Sequence, residues 1–267
     1  MGPVAAIIRS MSPTIEDYPH TGAVRYAQGA PKIPAVAIST KDAELLGKQL
    51  KEDKDLQFRL ETHCENLPDV ESYNVVGEIK GSQYKDEIIL VGGHLDSWDL
   101  AQGAHDDGTG CVQSIEVLRI FKAIGYKPKR TIRAVLWMSE ENGFAGAIRY
   151  AELALKNKEK HIAAIESDGG GFTPRGFTLT GDSNEKAKVR SWKSLLEPYD
   201  LHDFGREGGG ADIMQLAPQG VLQIGFYADT QRYFSLHHTK EDTFDKVNQR
   251  ELELGGASMA AMVFFAG

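Results

Sequence analysis

The chain has 267 residues, 41% of them hydrophobic and 25% charged, which is ordinary for a globular protein of one large domain or one and a half. Its formal net charge of −8 argues against nucleic acid or an anionic membrane surface as a partner. The two cysteines, Cys64 and Cys111, are too few for a disulfide framework or a cysteine-rich zinc site. No stretch is apolar over the length needed to span a membrane, and no signal peptide is visible.

Residues 1–55 differ in composition from the rest of the chain. Short strands are predicted at 4–8 and 35–38, on either side of a loop rich in Pro, Gly and Tyr, and a charged helix is predicted at 41–54. We see no catalytic set of residues here and interpret the block as the end of an accessory β-rich domain. Since a strand begins almost at residue 1, and the last helix stops without a cap, both ends of the chain look like cuts.

From about residue 56 the pattern is that of an α/β domain. Strands are predicted at 57–63 and 73–80, with a hairpin-like turn at 81–85, and buried strands at 88–93, 131–138, 161–165 and 221–226. Helices are predicted at 108–124, 143–155, 184–196 and 249–265. In the first of these helices we expect Cys111, Ile115 and Leu118 on one buried face. Strands that alternate with helices predict a mostly parallel, mixed sheet with helices on both faces.

Side chains able to bind a metal follow three of these buried strands. They are His94 with Asp96, Glu140 with Glu141, and Asp168. Because functional sites of such sheets form at the carboxyl ends of the strands, we expect these groups to converge. Imidazole and carboxylate ligands from separate strands suit a hydrolytic metal site. Asp96 is expected to accept the second ring N–H of His94 and so to fix its tautomer.

Two further clusters extend this set, and each also has a simpler explanation. Asp106 and Asp107 lie among glycines before a helix, where an aspartate can bridge two cations or simply cap the helix. His237 and His238 could bind a metal and polarise a carbonyl, although a lone histidine is more often structural. Exposure could likewise explain Glu140 and Glu141, and a turn could explain Asp168. Asp212 could support the site or cap a helix.

Taken together, these motifs closely resemble those of zinc-dependent exopeptidases with two co-catalytic metals. The matching strings are Gly-Gly-His-Leu-Asp-Ser at 92–97, Gly-Ala-His-Asp-Asp-Gly at 103–108, Ser-Glu-Glu at 139–141, Glu-Ser-Asp at 166–168, and His-Thr followed by Asp-Thr between 238 and 243. The resemblance covers about residues 60–267. Within this family, which also contains leucyl-type aminopeptidases and transferrin-receptor-like proteins, the plasma glutamate carboxypeptidase branch is the most similar.

The resemblance implies a role for each of these residues. His94 and Asp168 would hold one Zn²⁺, Glu141 and His238 a second, and Asp106 would bridge the two. Glu140 would be the general base and Asp96 would orient His94. His237 stands where several members have a tyrosine that helps to hold the oxyanion. It also implies an α/β/α sandwich at 56–267, truncated at its C-terminus, and the C-terminal part of a protease-associated domain at 1–55.

The implied substrate is a short peptide or a dipeptide, and the sequence leaves open which end is read. A terminal carboxylate needs a cation, for which Arg175 and Arg206 are candidates, with Tyr227 as a further substrate contact; exposed surface arginines are the simpler explanation. We therefore expect an aminopeptidase or dipeptidase, with a carboxypeptidase as the alternative. Two further alternatives are a binding module that has lost its metals and a one-zinc acyltransferase of the glutaminyl cyclase kind. The resemblance allows a homodimer and suggests a secreted or periplasmic location.

Overall fold

The structure, a computed structural model, describes residues 2–267 and contains two sheets. The smaller sheet pairs β1 (Ala6–Arg9) with β2 (Ala35–Ile38) in parallel, and α1 (Thr40–Glu52) follows. These elements match the strands and helix predicted for residues 1–55. The side chain of Ser39 caps α1 by accepting a hydrogen bond from the backbone N–H of Asp42. The division of the chain near residue 55 stays a prediction.

The larger sheet has six strands in the order β3-β5-β4-β6-β8-β7. Their bounds are β3 Val75–Ile79, β4 Tyr84–His94, β5 Arg130–Trp137, β6 Lys160–Glu166, β7 Pro174–Thr180 and β8 Leu222–Ala228. The four central strands are parallel, and the edge strands β3 and β7 run antiparallel to their neighbours. This confirms the predicted mixed, mostly parallel sheet.

Helices cover both faces of this sheet. The α-helices are α2 (Thr109–Ala123), α3 (Ala145–Asn157), α4 (Ser183–Ser191), α5 (Lys193–Leu196) and α6 (Gln249–Ala266). Successive residues of β4 face opposite sides, so Ile89 joins a core with Val117 of α2 and Met259 of α6, while Leu90 joins a core with Ala147 of α3. Shorter helical turns lie at Ala104–Gly108, Glu197–Tyr199, Ile213–Gln219, Thr230–Ser235 and Phe244–Lys246.

Several local predictions are wrong. Residues 57–63 form no strand and are largely exposed. The expected hairpin at 81–85 does not form, because β3 pairs with β5 rather than with β4. Strand β7 was not predicted. On α2, Cys111 is buried and Leu118 packs against the core as expected, together with Val117 and Phe121, whereas Ile115 is 50% exposed. Within residues 2–267, no helix has the length and apolar character needed to cross a membrane.

Candidate metal centre

The carboxyl ends of three neighbouring parallel strands, β5, β4 and β6, bring several candidate ligands to one edge of the sheet. β4 ends at His94, and it lies between β5, which leads to Glu140 and Glu141, and β6, which leads to Asp168. His94 Nε2 lies 3.5 Å from Asp168 Oδ1, although 74 positions of chain separate the two residues. The parallel order of the strands, rather than closeness in the sequence, therefore assembles this cluster.

Asp106 lies between two groups of ligand-type side chains. Its Oδ1 is 3.2 Å from Nε2 of His94, and its Oδ2 is 3.3 Å from Nε2 of His238. Its side chain is buried and comes from the turn Ala104–Gly108, next to the cis peptide that joins it to Asp107. One carboxylate thus points one oxygen to each group, which is the arrangement a bridging ligand requires.

The two groups have the composition expected of metal ligands. His94, Asp106 and Asp168 place one ligand atom each within 4.8 Å of one another, and so do Asp106, His237 and His238. Glu141 joins the second group, because its Oε2 lies 3.1 Å from His238 Nε2. His237 was expected at an oxyanion and not among the ligands; its Nε2 lies 3.5 Å from Asp106 Oδ2, and its ring stacks on that of His238.

Unpaired buried oxygens show that this donor set fits a cation. Among residues 2–267, neither Asp106 Oδ2 nor Glu141 Oε1 has a hydrogen-bond partner, although both atoms are buried. Leaving such oxygens without a partner is costly unless an ion or a water satisfies them. Nitrogen and oxygen donors of this kind are those that Zn²⁺ takes in hydrolytic sites.

The carboxylates strongly perturb the two histidines that lie beside them. Burial works against the charged form of His94, but hydrogen bonds to Asp106 and Asp168 outweigh it and raise its pKa. Burial is likewise outweighed at His238, where the nearby carboxylates of Asp106 and Glu141 raise the pKa to about 10. Both imidazoles therefore favour the cationic form, in which both ring nitrogens carry a proton. A metal-binding imidazole must be neutral, so binding a cation here would release a proton from each ring.

Asp96 contacts His94 as expected, but through its backbone carbonyl and not through its carboxylate. His94 Nδ1 lies 2.8 Å from the backbone carbonyl oxygen of Asp96, whereas the carboxylate is 3.8 Å away. That carboxylate instead accepts hydrogen bonds from the backbone N–H groups of Glu140, at 3.0 Å, and Glu141, at 3.2 Å. Asp96 therefore holds the imidazole through its backbone and the glutamate loop through its side chain.

Two carboxylates to which the family resemblance assigns no role hold the backbone of the segments that carry the proposed ligands. Asp107 Oδ2 accepts a hydrogen bond from the His94 N–H at 3.0 Å. This approach needs a glycine at position 93, since a Cβ there would overlap the Asp107 carboxylate. Asp242 accepts from the N–H groups of His105 and Asp106, at 2.7 and 3.0 Å. Asp242 belongs to one of the matching strings, but nothing in its sequence pattern indicates this contact.

A second buried acidic pair lies beside the cluster. Glu166 accepts hydrogen bonds from the backbone N–H groups of Asp212, at 3.3 Å, and Ile213, at 2.8 Å. The carboxylate of Asp212 makes no helix cap, and both its oxygens are buried without a partner among residues 2–267. Burial, followed by the charge of Glu166, raises the pKa of Asp212 to about 9. Of the two predicted roles for Asp212, the helix cap is therefore wrong.

The structure places the two candidate arginines in ion pairs. Arg206 Nε lies 2.6 Å from Asp203 Oδ2, and its guanidinium is stacked over the ring of Tyr227, 4.5 Å from the centroid. Arg175 pairs with Asp200 and with Asp229, the latter at 3.2 Å. Both arginines thus already have carboxylate partners, and neither belongs to the two ligand groups around Asp106.

Comparison with known proteins places this arrangement in a family. A model of the family described as Peptidase family M28 matches residues 74–263. Carboxypeptidase Q of Mus musculus is 37% identical over 264 residues, which is 99% of this chain and 56% of that protein. Aminopeptidase YwaD of Bacillus subtilis is 25% identical over 249 residues, which is 88% of this chain and 51% of that protein.

The same relationship is seen among solved structures. The crystal structure of a peptidase M28 precursor from Shewanella amazonensis superimposes with a TM-score of 0.84 at 35% identity. The match covers 100% of this chain and 61% of that one. This chain therefore spans between half and two thirds of the length of each of these relatives.

Proposed function

Because the chain belongs to peptidase family M28, we propose that it is a zinc-dependent exopeptidase with two metal ions. Its proposed substrates are short peptides or dipeptides, cleaved near the N-terminus. The single observation that carries this proposal is the carboxylate of Asp106, whose two oxygens lie 3.2 Å from His94 and 3.3 Å from His238. A carboxylate shared in this way is what two neighbouring cations need.

In this proposal His94 and Asp168 hold one zinc ion, Glu141 and His238 hold the other, and Asp106 binds both. When bound, zinc supplies Lewis acidity, which lowers the pKa of a water molecule towards neutrality and polarises the scissile carbonyl. The orphaned oxygens of Asp106 and Glu141 support these assignments.

Glu140 is the proposed general base. Burial raises the pKa of its carboxyl to about 7, while the Asp96 carboxylate holds its backbone N–H. A base whose pKa is near neutral takes a proton from the attacking water and can return that proton to the leaving amine.

His237 is the proposed hydrogen-bond donor to the oxyanion. Burial lowers the pKa of its ring to about 4, so the ring is neutral at pH 7 and carries one N–H. Its Nδ1 is buried without a partner among residues 2–267, and its Nε2 lies 3.5 Å from Asp106 Oδ2, so Nε2 is the ring atom that faces the proposed metal site. A donor already in place where negative charge develops stabilises the transition state.

The side chains around the site favour recognition of a free amine over a terminal carboxylate. Glu140, Glu166 and Asp212 add three carboxyl groups to the metal-ligating ones, and none of these side chains is a cation that could pair with a terminal carboxylate. The arginines considered for a terminal carboxylate are paired with aspartates. These observations support an aminopeptidase or a dipeptidase.

The carboxypeptidase alternative is supported by the similarity to carboxypeptidase Q of Mus musculus. Five ligand-type side chains in one cluster argue against a binding module without metals.

The test compares one leucine-containing dipeptide in free, N-acetylated and C-amidated forms, with zinc-loaded protein and with chelated protein. An aminopeptidase cleaves the free and amidated forms, and a dipeptidase cleaves only the free form. Cleavage of the acetylated form would establish the carboxypeptidase instead. Zinc-loaded, folded protein that cleaves none of them would refute the exopeptidase proposal. Glu140→Gln serves as the control for contaminating peptidases.

A further inference from the structure

Part of the N-terminal block lies directly against the loop that carries both site histidines. Tyr18 donates a hydrogen bond from its hydroxyl to the Ser235 carbonyl oxygen at 3.1 Å. The hydroxyl of Thr14 lies 3.3 Å from that of Ser235. The ring of His20 lies 6.4 Å from that of His237, measured between centroids. The sequence suggested no catalytic role for this block, yet it touches the loop at several points.

Two hydrogen bonds join Thr21 to His238 itself. The backbone N–H of Thr21 donates to the His238 carbonyl oxygen at 2.8 Å. In the other direction, His238 Nδ1 lies 3.2 Å from the Thr21 carbonyl oxygen. A carbonyl can only accept, so Nδ1 must carry the proton of this bond. That leaves Nε2, the atom nearest Asp106 and Glu141, as the one available to a metal.

The backbone of His238 has an unusual conformation and receives a contact from outside its own loop. Its φ angle is +57°, in the left-handed region that residues other than glycine rarely adopt. Such conformations persist where the surrounding structure holds them, and they concentrate at functional sites. The bond from the Thr21 N–H to the His238 carbonyl is one contact of this kind.

The segment that carries Thr21 is itself fixed to the small sheet and to α1. Buried Ser10 accepts a hydrogen bond from the His20 N–H at 2.9 Å and donates one to the Ile38 carbonyl oxygen at 2.8 Å. Buried Thr40, at the start of α1, accepts from the Glu16 N–H at 2.6 Å. A continuous set of hydrogen bonds therefore runs from the N-terminal block to His238.

We propose that residues 10–21 are a positioning element for the metal ligand His238: Thr21 fixes its tautomer and its backbone, and Ser10 and Tyr18 hold Thr21 in place. This inference rests on the proposed function, since it assigns His238 to a zinc ion. It adds that the N-terminal block is needed for one of the two zinc ions and not for the other. The hydrogen bonds from this segment to the histidine loop end on Ser235 and His238, and not on Asp106, Glu141, His94 or Asp168.

The test measures zinc binding to the full chain rather than activity. Ser10→Ala combined with Tyr18→Phe removes the anchor of His20 and the bond to Ser235. Ser258→Ala is the matched control, because Ser258 is a buried serine that donates to a backbone carbonyl, Leu254 at 2.7 Å, within α6. Competition with a chromophoric chelator gives the affinity of each zinc ion. Spectra of ¹⁵N-labelled histidine give the solvent exchange of the His238 Nδ1 proton.

We expect the double variant to bind one zinc ion about 10- to 100-fold more weakly, with the other unchanged and with faster exchange of the His238 ring proton. Tyr18→Phe alone should also weaken only one of the two zinc ions, with a smaller loss of affinity. If the double variant does not fold, this single variant provides the test. Unchanged affinities, or equal weakening of both ions, would overturn the inference. Wild-type protein that binds no zinc would instead refute the proposed function.

Discussion

The carboxylate of Asp242 accepts a hydrogen bond from the backbone N–H of Asp106 at 3.0 Å, and from the preceding N–H of His105 at 2.7 Å. Asp242 lies four positions after His238 and is buried. It therefore connects the loop of one proposed ligand to the backbone of the proposed bridging ligand. Holding a ligand from behind in this way sets its orientation before the metal binds.

Replacing Asp242 should consequently weaken both zinc ions, because Asp106 is shared. In Asp242→Asn one of the two N–H groups faces an amide donor in place of an acceptor. We expect a loss of about 10- to 100-fold in affinity for both ions, measured by chelator competition. Asp245→Asn is the control, since Asp245 is an exposed residue three positions away whose partners, Thr243 and Lys246, are local. Equal affinities in the two variants would contradict the role of Asp242.

The proposed base predicts a change in turnover without a change in metal content. Glu140→Gln keeps the size of the side chain but cannot accept a proton from water. We expect kcat to fall by about 10² to 10⁴, with KM and zinc content within a factor of about two of the wild type. Glu152→Gln, at an exposed position of α3, should leave kcat unchanged. A small effect on kcat, or a loss of zinc, would remove Glu140 from the role of base.

A single substitution can show whether His237 is a hydrogen-bond donor to the substrate or a metal ligand. If His237 is the oxyanion donor, we expect His237→Ala to lower kcat by roughly 10²-fold or more while zinc content is retained. Its place beside Asp106 and His238 also makes it a candidate ligand. Zinc content and steady-state kinetics of the same preparation decide between the two roles. Loss of one zinc ion would show that His237 is a ligand.

Far from the cluster, buried His161 predicts a loss of stability in acid. Arg133 can only donate, so Tyr150 accepts from it and donates its own proton to His161 Nε2, each at 2.7 Å. Burial, with the charge of Arg133, lowers the pKa of His161 to about 4. The unfolded chain binds a proton below about pH 6.5 while the folded chain does not, so stability is lost as the pH falls from there towards 4.

The size of this effect follows from the change in pKa. At about 1.4 kcal/mol per pKa unit, the wild type should lose up to ~3 kcal/mol relative to His161→Gln between pH 7.5 and 4. Urea unfolding of both proteins in the presence of a chelator measures the difference and cancels the shared titration of the metal centre. A difference in the free energy of unfolding that does not change with pH would contradict the assignment.

Patterns in the sequence predicted the sheet and the clustering of several proposed ligands for one physical reason. Apolar runs such as 88–93 are buried on both faces, so they mark central parallel strands, and the residues after them lie at one edge. This places His94 and Asp168 together without any further information. Asp106 and His238 do not follow such strands directly, and their roles came from the family resemblance.

Other features are not encoded in local patterns. β3 pairs with β5, which is remote in sequence, so the local turn at 81–85 predicted a hairpin that does not form. β7 contains Pro174 and Gly176, which weaken the strand signal. The contact of Thr21 with His238 spans 217 positions and uses backbone atoms, and the Asp242 contact also ends on backbone N–H groups. Bonds to backbone atoms place no demand on the residue type of the partner, so they leave no motif to read.

The zinc content of the wild type and of Asp106→Ala is the decisive measurement for a two-metal site. Because one carboxylate faces both groups of proposed ligands, we expect two zinc ions per wild-type chain and the loss of both tight sites in the variant. Atomic emission after dialysis against a weak chelator gives both numbers. A wild type that binds a single ion, or a variant that keeps one ion at wild-type affinity, would contradict the bridging role of Asp106.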